Sequence, residues 1–159
     1  MLMAQPARAT YLDEQLCFAL YAASRAMINS YRSPLDALGL TYPQYLVMLV
    51  LWERRQATVT AIGTALQLET GTLSPLLKRL EAAGFVTRRR QETDERSVLV
   101  SLTPAGRELQ EQVPAVQQNI CEATALDGEG IAGLRLALHS LTARLRATGV
   151  NHESSTFVP

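Results

Sequence analysis

The sequence predicts a mainly α-helical chain interrupted by one small β-hairpin. Apolar residues recur at helical spacing along most of its 159 residues, and strict alternation appears once, at 97–102, where Val98 and Val100 fall on one face and Leu99 on the other. With 47% hydrophobic and 19% charged residues, the chain carries enough apolar material for a core, which excludes a disordered tail or a disulfide-stapled miniprotein. The length fits a single domain, here 1–159.

Leu12, Leu16, Leu20, Ala23 and Met27 mark a first amphipathic helix over 12–32, ending ahead of Ser33-Pro34. A short helical turn over 35–38 is stopped by Gly39. Thr41-Tyr42-Pro43 starts a second helix running to 54, apolar nearly all round and therefore central. A short helix over 58–66 turns Val59, Ile62, Ala65 and Leu66 inward, a tight turn occupies 67–70, and a further helix reaches 83 with Leu73, Leu76, Leu77 and Leu80 as its stripe. Pro75 is comfortable only in a first turn, which points to Thr70 or Thr72 as the cap; Gly84 stops that helix. Strands at 85–90 and 97–102 flank a polar turn at 91–96. Thr103-Pro104 opens a helix through Leu109, Val113, Val116 and Ile120, kinked or broken at Pro114. A last helix over 130–147 aligns Ile131, Leu134, Leu138, Leu141 and Leu145. The segments 1–10 and 149–159 read as frayed ends.

Short helix, tight turn, second helix, hairpin is the order of a winged helix-turn-helix, whose second helix enters the DNA major groove. Here that helix offers Thr70, Thr72, Ser74, Lys78 and Arg79, hydroxyl and cationic groups suited to base edges and phosphates. The hairpin adds Arg88, Arg89, Arg90 and Arg96, and an arginine at a hairpin tip fits the narrow, electronegative minor groove. The formal net charge is zero, so any polyanion site is local, and a non-specific DNA-bridging role is disfavoured. The first ten residues lack an apolar signal core, and the longest apolar run, 46–52, is too short to span a bilayer; both point to the cytoplasm and to no membrane partner. His139 and His152 belong to no nucleophile–base pattern, and no phosphate loop or metal-ligand spacing occurs, so the reading is a non-enzyme without metal or cofactor. Cys17 and Cys121, far apart in sequence, form no CxxC pair; by themselves they read as small hydrophobes.

Gly71-Thr72-Leu73-Ser74-Pro75-Leu76-Leu77-Lys78-Arg79-Leu80-Glu81, then Gly84-Phe85, Asp94-Glu95-Arg96 and Leu102-Thr103-Pro104-Ala105-Gly106 resemble the MarR family of dimeric transcriptional regulators. The resemblance spans about 12–147. It implies a winged helix-turn-helix lobe over 43–102, with 12–32 and 104–147 as dimerisation helices. Arg96 matches the family's wing-tip arginine and Asp94 its positioning partner. Leu16-Cys17-Phe18-Ala19-Leu20-Tyr21 and Leu40-Thr41-Tyr42-Pro43-Gln44-Tyr45 are similar to the organic hydroperoxide regulator (OhrR) branch. That likeness implies that Cys17 is a peroxide sensor supported by the hydroxyls of Tyr31 and Tyr42. It also implies a candidate resolving role for Cys121.

The chemistry stands beside the resemblance. A peroxide-sensing thiol reacts as thiolate, and hydrogen bonds donated by tyrosine hydroxyls favour that charged form. An apolar rim of Phe18, Leu20 and Tyr21 favours an organic peroxide. A sulfenic acid at Cys17 would condense with a nearby thiol, either Cys121 or a small thiol. The implied function is a homodimeric repressor that binds operator DNA when reduced and releases it when Cys17 is oxidised by an organic hydroperoxide. The alternative is a repressor released by a small phenolic or aromatic ligand, with Cys17 structural.

Overall fold

The computed structural model describes residues 11–91 and 94–148, with side chains described outside 92–96. The expected frayed ends, 1–10 and 149–159, lie outside the described residues. A 3-10 turn at Leu12–Glu14 leads into helix α1 (Leu16–Asp36), followed by α2 (Tyr42–Arg54), strand β1 (Gln56–Thr58), α3 (Val59–Leu66), α4 (Thr70–Ala82), β2 (Val86–Gln91) and β3 (Asp94–Leu102). Then come α5 (Pro104–Glu108), a 3-10 segment (Leu109–Gln112), α6 (Val113–Thr124) and α7 (Gly128–Ala147). The chain is mainly helical with one small antiparallel sheet. Its contacts divide it into a unit ending at Ile120 and a second beginning at Cys121.

The helix starts are chemically explicit. Thr41 accepts from the Gln44 N–H at 3.4 Å while Gln44 Oε1 accepts from the Thr41 N–H at 2.8 Å, a reciprocal box that fixes the start of α2. Thr58, Thr103 and Asp127 cap α3, α5 and α7 through the N–H groups of Ala61, Gly106 and Gly130. As expected, α2 is central: Tyr45, Val47, Met48, Leu51 and Trp52 are all buried. The expected break near Pro114 occurs as the 3-10 segment just before it.

Four elements depart from the sequence expectation. Helix α1 does not end before Pro34 but carries it and continues to Asp36. Proline inside a helix costs about 3 kcal/mol. Burying Leu35, Leu38 and Leu40 just beyond it, at about 2 kcal/mol each, outweighs that. The turn then closes at Gly39 (φ +69°), where the N–H groups of Gly39 and Leu40 reach back to Asp36 O and Leu35 O at 3.1 and 3.0 Å. Helix α4 begins at Thr70 with Glu69 in the cap position, not Thr70 or Thr72, so Pro75 lies beyond the first turn. Buried Leu73, Leu77 and Leu80 hold it there, and Leu76 is only half-buried. On α3, Ala65 faces solvent instead of the core, and Gly63 is buried in its place. A Cβ on Gly63 would stand 2.8 Å from the Leu68 carbonyl oxygen, which is how tightly the helix-turn-helix bend is drawn.

The fourth departure is the sheet. It has three strands in the order β1-β3-β2, so β3 is central and begins at Asp94 rather than 97. Ala57 pairs with Val100, and Arg88 pairs with Val100 from the other side. The register shifts between Arg90 and Gln91.

The wing base, the end of α4 and α5 meet at one joint. The N–H groups of Gly84 and Phe85 close α4 onto Glu81 O and Leu80 O, both at 3.0 Å. Thr103 Oγ1 donates to Gly84 O at 2.6 Å, the Thr103 N–H donates to Phe85 O at 3.0 Å, and Trp52 Nε1 donates to Gly106 O at 2.8 Å. A Cβ at residue 106 would collide with the Phe85 carbonyl. Gly106→Ala is therefore expected to destabilise the fold by about 1–3 kcal/mol. Gly128→Ala, where a Cβ meets nothing within 4 Å, is expected to be neutral or slightly stabilising. Urea unfolding of both variants checks this, and equal midpoints would refute it.

Candidate nucleic-acid interface and thiol site

Helix α4 turns Leu73, Leu77 and Leu80 to the core, and this leaves Thr70, Thr72, Ser74, Lys78 and Arg79 all exposed on its outer face. Ser74 Oγ is partly committed: it donates to Thr70 O at 2.8 Å. An open cleft of about 510 Å³ runs beside the start of this helix, with Thr60, Thr64, Gln67, Glu69 and Thr70 among its lining.

On β2, alternation puts Val86, Arg88 and Arg90 on one face and Thr87 and Arg89 on the other. Val86 is buried, Arg88 half-buried, and Arg89 and Arg90 are exposed. Arg88 is not a free cation. Its Nε and Nη2 donate to Glu81 Oε2 at 2.9 and 2.6 Å, and its backbone N–H donates to Glu81 Oε1 at 3.1 Å. In the sequence pattern Glu81 stands only as the last residue of the motif that begins at Gly71. The side chains of Asp94 and Arg96 lie outside the described residues; their backbone opens β3.

The thiol site is distributed. Cys17 and Cys121 are both exposed in the single chain, so neither is the packed thiol that composition alone would suggest. Between 16 and 26 every residue of α1 except half-buried Leu20 is exposed, including Phe18 and Tyr21. Arg25 Nη1 donates to the Tyr21 hydroxyl at 2.8 Å and its guanidinium lies 5.5 Å from that ring. Tyr31 and Tyr42 sit together further along, with ring centroids 5.0 Å apart, packed on Tyr45 at 5.8 and 6.4 Å. Tyr45 in turn meets Trp52 edge-on at 6.1 Å and receives a hydrogen bond from Gln117 Nε2 at 3.3 Å. Burial, reinforced by neighbouring Tyr45, pushes the Tyr42 phenol above its ordinary value and keeps it a protonated donor. Cys17 and Tyr31 lie on the same continuous helix, and the fourteen-residue separation along it amounts to about 21 Å. One chain therefore does not bring Cys17 to the tyrosine pair.

No group of three His, Cys, Asp or Glu able to hold a metal occurs among the described residues. No helix among them is long and apolar enough to cross a membrane.

The Arg88 hydrogen bonds hold the Glu81 carboxyl below the usual carboxylate range. A carboxylate depressed in the folded state adds stability above its unfolded pKa and loses it as the pH falls through its folded value. Glu81→Gln should therefore be less stable than the wild type at neutral pH. The gap should close as the pH is lowered below the ordinary carboxylate range. A pH series of thermal melts tests this, and a gap that persists in acid would contradict it.

Comparison with known proteins places this geometry among transcriptional regulators. Residues 30–113 match the family described as transcriptional regulator SarA/Rot. The organic hydroperoxide resistance transcriptional regulator of Bacillus subtilis is 48% identical over 130 residues, covering 82% of this chain and 88% of that protein. AbfR of Staphylococcus epidermidis, solved reduced and bound to DNA, is 39% identical with a TM-score of 0.72, covering 86% of this chain and 93% of that one. The disulfide form of AbfR superposes with a TM-score of 0.60 at 38% identity, covering 86% of this chain and 91% of that one. At 24% identity, AbsC of Streptomyces coelicolor, a MarR family regulator, shares the fold with a TM-score of 0.74, covering 89% of this chain and 99% of that one.

Proposed function

The chain belongs to the MarR family of transcriptional regulators, and on that premise we propose that it is a homodimeric, redox-sensing repressor. It binds operator DNA when reduced and releases it when an organic hydroperoxide oxidises Cys17. It is a DNA-binding regulator, not an enzyme, and it works in the cytoplasm beside the DNA it controls. The lobe at 43–102 reads DNA, while the helices within 12–32 and 104–147 pair two copies. Apolar side chains left exposed in a single chain support that pairing: Leu16, Phe18 and Tyr21 on α1, and Leu134, Leu136 and Leu145 on α7, with Leu136 at 70% exposure.

Thr70, Thr72, Ser74, Lys78 and Arg79 face the major groove. Arg90 and Arg96 carry the wing to phosphate and minor groove, with Asp94 in the positioning role that the family resemblance implies. The B. subtilis relative is named for organic hydroperoxide resistance, and AbfR has been solved both DNA-bound and disulfide-bonded; both support the reading.

The single observation that carries the redox switch is the position of Cys17. It is exposed beside exposed Leu16 and Phe18, on a helix whose Tyr31 lies too far along to reach it. A second copy packed on α1 would bring its Tyr31 and Tyr42 hydroxyls to the sulfur. Oxidation then acts on the dimer contact itself. The thiolate attacks one peroxide oxygen, the O–O bond breaks and the alcohol leaves, giving a sulfenic acid. Attack on that sulfur by a second thiol, Cys121 or a small thiol, expels water and forms a disulfide. A hundredfold loss of DNA affinity needs only about 2.7 kcal/mol of coupling.

Reduced protein should bind a duplex that it has itself selected from a random-sequence pool. One equivalent of cumene hydroperoxide should release the wild type but not Cys17→Ser. Cys121→Ser should abolish a dimer-sized band on a non-reducing gel if Cys121 resolves. Peroxide-indifferent wild-type binding, with release by a phenolic acid instead, would replace this reading with the ligand-responsive one.

A further inference from the structure

The three hydrogen bonds between Arg88 and Glu81 join elements that must act together on DNA. Glu81 lies in the last turn of α4, and Arg88 lies near the start of β2, after the chain has reversed through Gly84. Both side chains are about one-third exposed, 31% for Arg88 and 37% for Glu81. The arginine presents a two-point guanidinium fork to one carboxylate oxygen, while its own backbone N–H occupies the other. That arrangement fixes direction as well as distance, which a single ammonium contact does not. Arg88 sits on the core-side face of β2, in line with buried Val86, whereas Arg89 and Arg90 are exposed. Its charge is already matched, so it adds little to the field that attracts phosphate.

We propose that Arg88 is a positioning residue rather than a DNA contact. With Glu81 it latches the base of the wing to the end of the recognition helix, so that the wing tip and α4 engage DNA as one body. The inference rests on the DNA-binding reading and adds to it a pair that sets specificity. The two groups belong to the folded lobe and not to the thiol chemistry, so the latch works in reduced protein, independently of Cys17.

The direction of the Glu81→Gln effect separates the two roles of Arg88. If Arg88 were a phosphate ligand restrained by Glu81, removing the negative charge would tighten DNA binding and steepen its salt dependence. As a latch, its loss weakens binding even though an acidic group has been removed. The experiment uses full-length reduced protein, with Glu81→Gln, Arg88→Gln and the double variant, each confirmed folded by circular dichroism at the assay temperature. Affinity is read by fluorescence anisotropy on the duplex selected by the wild type and on a random duplex, across a salt series. Each single variant should lose about tenfold on the selected duplex. The double variant should be no weaker than the worse single one, and affinity for the random duplex should hold. If Arg88→Gln does not fold, the sign of the Glu81→Gln effect decides; if Glu81→Gln does not fold, the duplex comparison and salt slope of Arg88→Gln decide.

Tighter binding by Glu81→Gln would overturn the proposal. So would a loss by Arg88→Gln that is equal on both duplexes, with a salt slope shallower by about one. Additive single effects, or affinities unchanged throughout, would also overturn it. Failure of the wild type to select any duplex would overturn the DNA-binding reading itself, a result distinct from all of these.

Discussion

The Phe85 carbonyl lies where a side chain on residue 106 would begin, and the polar groups around it are satisfied only because that space is empty. From this contact the Thr103 N–H reaches Phe85 O, Thr103 Oγ1 reaches Gly84 O, and Trp52 Nε1 reaches Gly106 O. The Trp52–Gly106 bond is buried, and leaving either of its groups unpaired is costly. The joint ties the central helix α2, the end of α4, the base of the wing and the start of α5. The lobe's DNA-facing elements inherit their relative positions from it. The family signature Leu102-Thr103-Pro104-Ala105-Gly106 thus has a local physical meaning: cap, helix-compatible proline, and a residue without a Cβ where two backbones touch.

The same lobe shows why charge alone is a poor guide to contact. Arg88, Arg89 and Arg90 are consecutive and chemically identical, yet alternation along β2 sends the middle one to the opposite face from its neighbours. Of the two on the core side, Arg88 lies near enough to the packed base to need a partner and finds Glu81, while Arg90 lies beyond it in solvent. On α4 the pattern is simpler. The leucine stripe commits one face to the core, so Lys78 and Arg79 are exposed without any further device.

The proposed redox switch draws on a different property of the chain. Its proposed sensor thiol lies about 21 Å along a regular helix from Tyr31, which packs on Tyr42 of the next helix. The tyrosine side is rigid: Tyr31, Tyr42 and Tyr45 pack on one another, and Tyr45 is 1% exposed and continues the contact to Trp52. The thiol side is unpacked, on the exposed first half of α1. A site completed only by a second copy couples its chemistry to dimer geometry without needing a separate transmission device.

Sequence alone determined what local periodicity and capping can determine. The helices, the central place of α2, the threonine starts at Thr41, Thr58 and Thr103, the stops at Gly39 and Gly84, and the outward set on α4 are each written within about four residues of where they act. Tertiary packing decided the rest. It carried α1 through Pro34 because three buried leucines outweigh one lost hydrogen bond. It recruited Gln56–Thr58 as a third strand, too short to show alternation of its own. It turned Arg88 inward onto Glu81 across a chain reversal. Those outcomes depend on what lies opposite in space, and one-dimensional spacing does not encode that until the chain has folded back on itself.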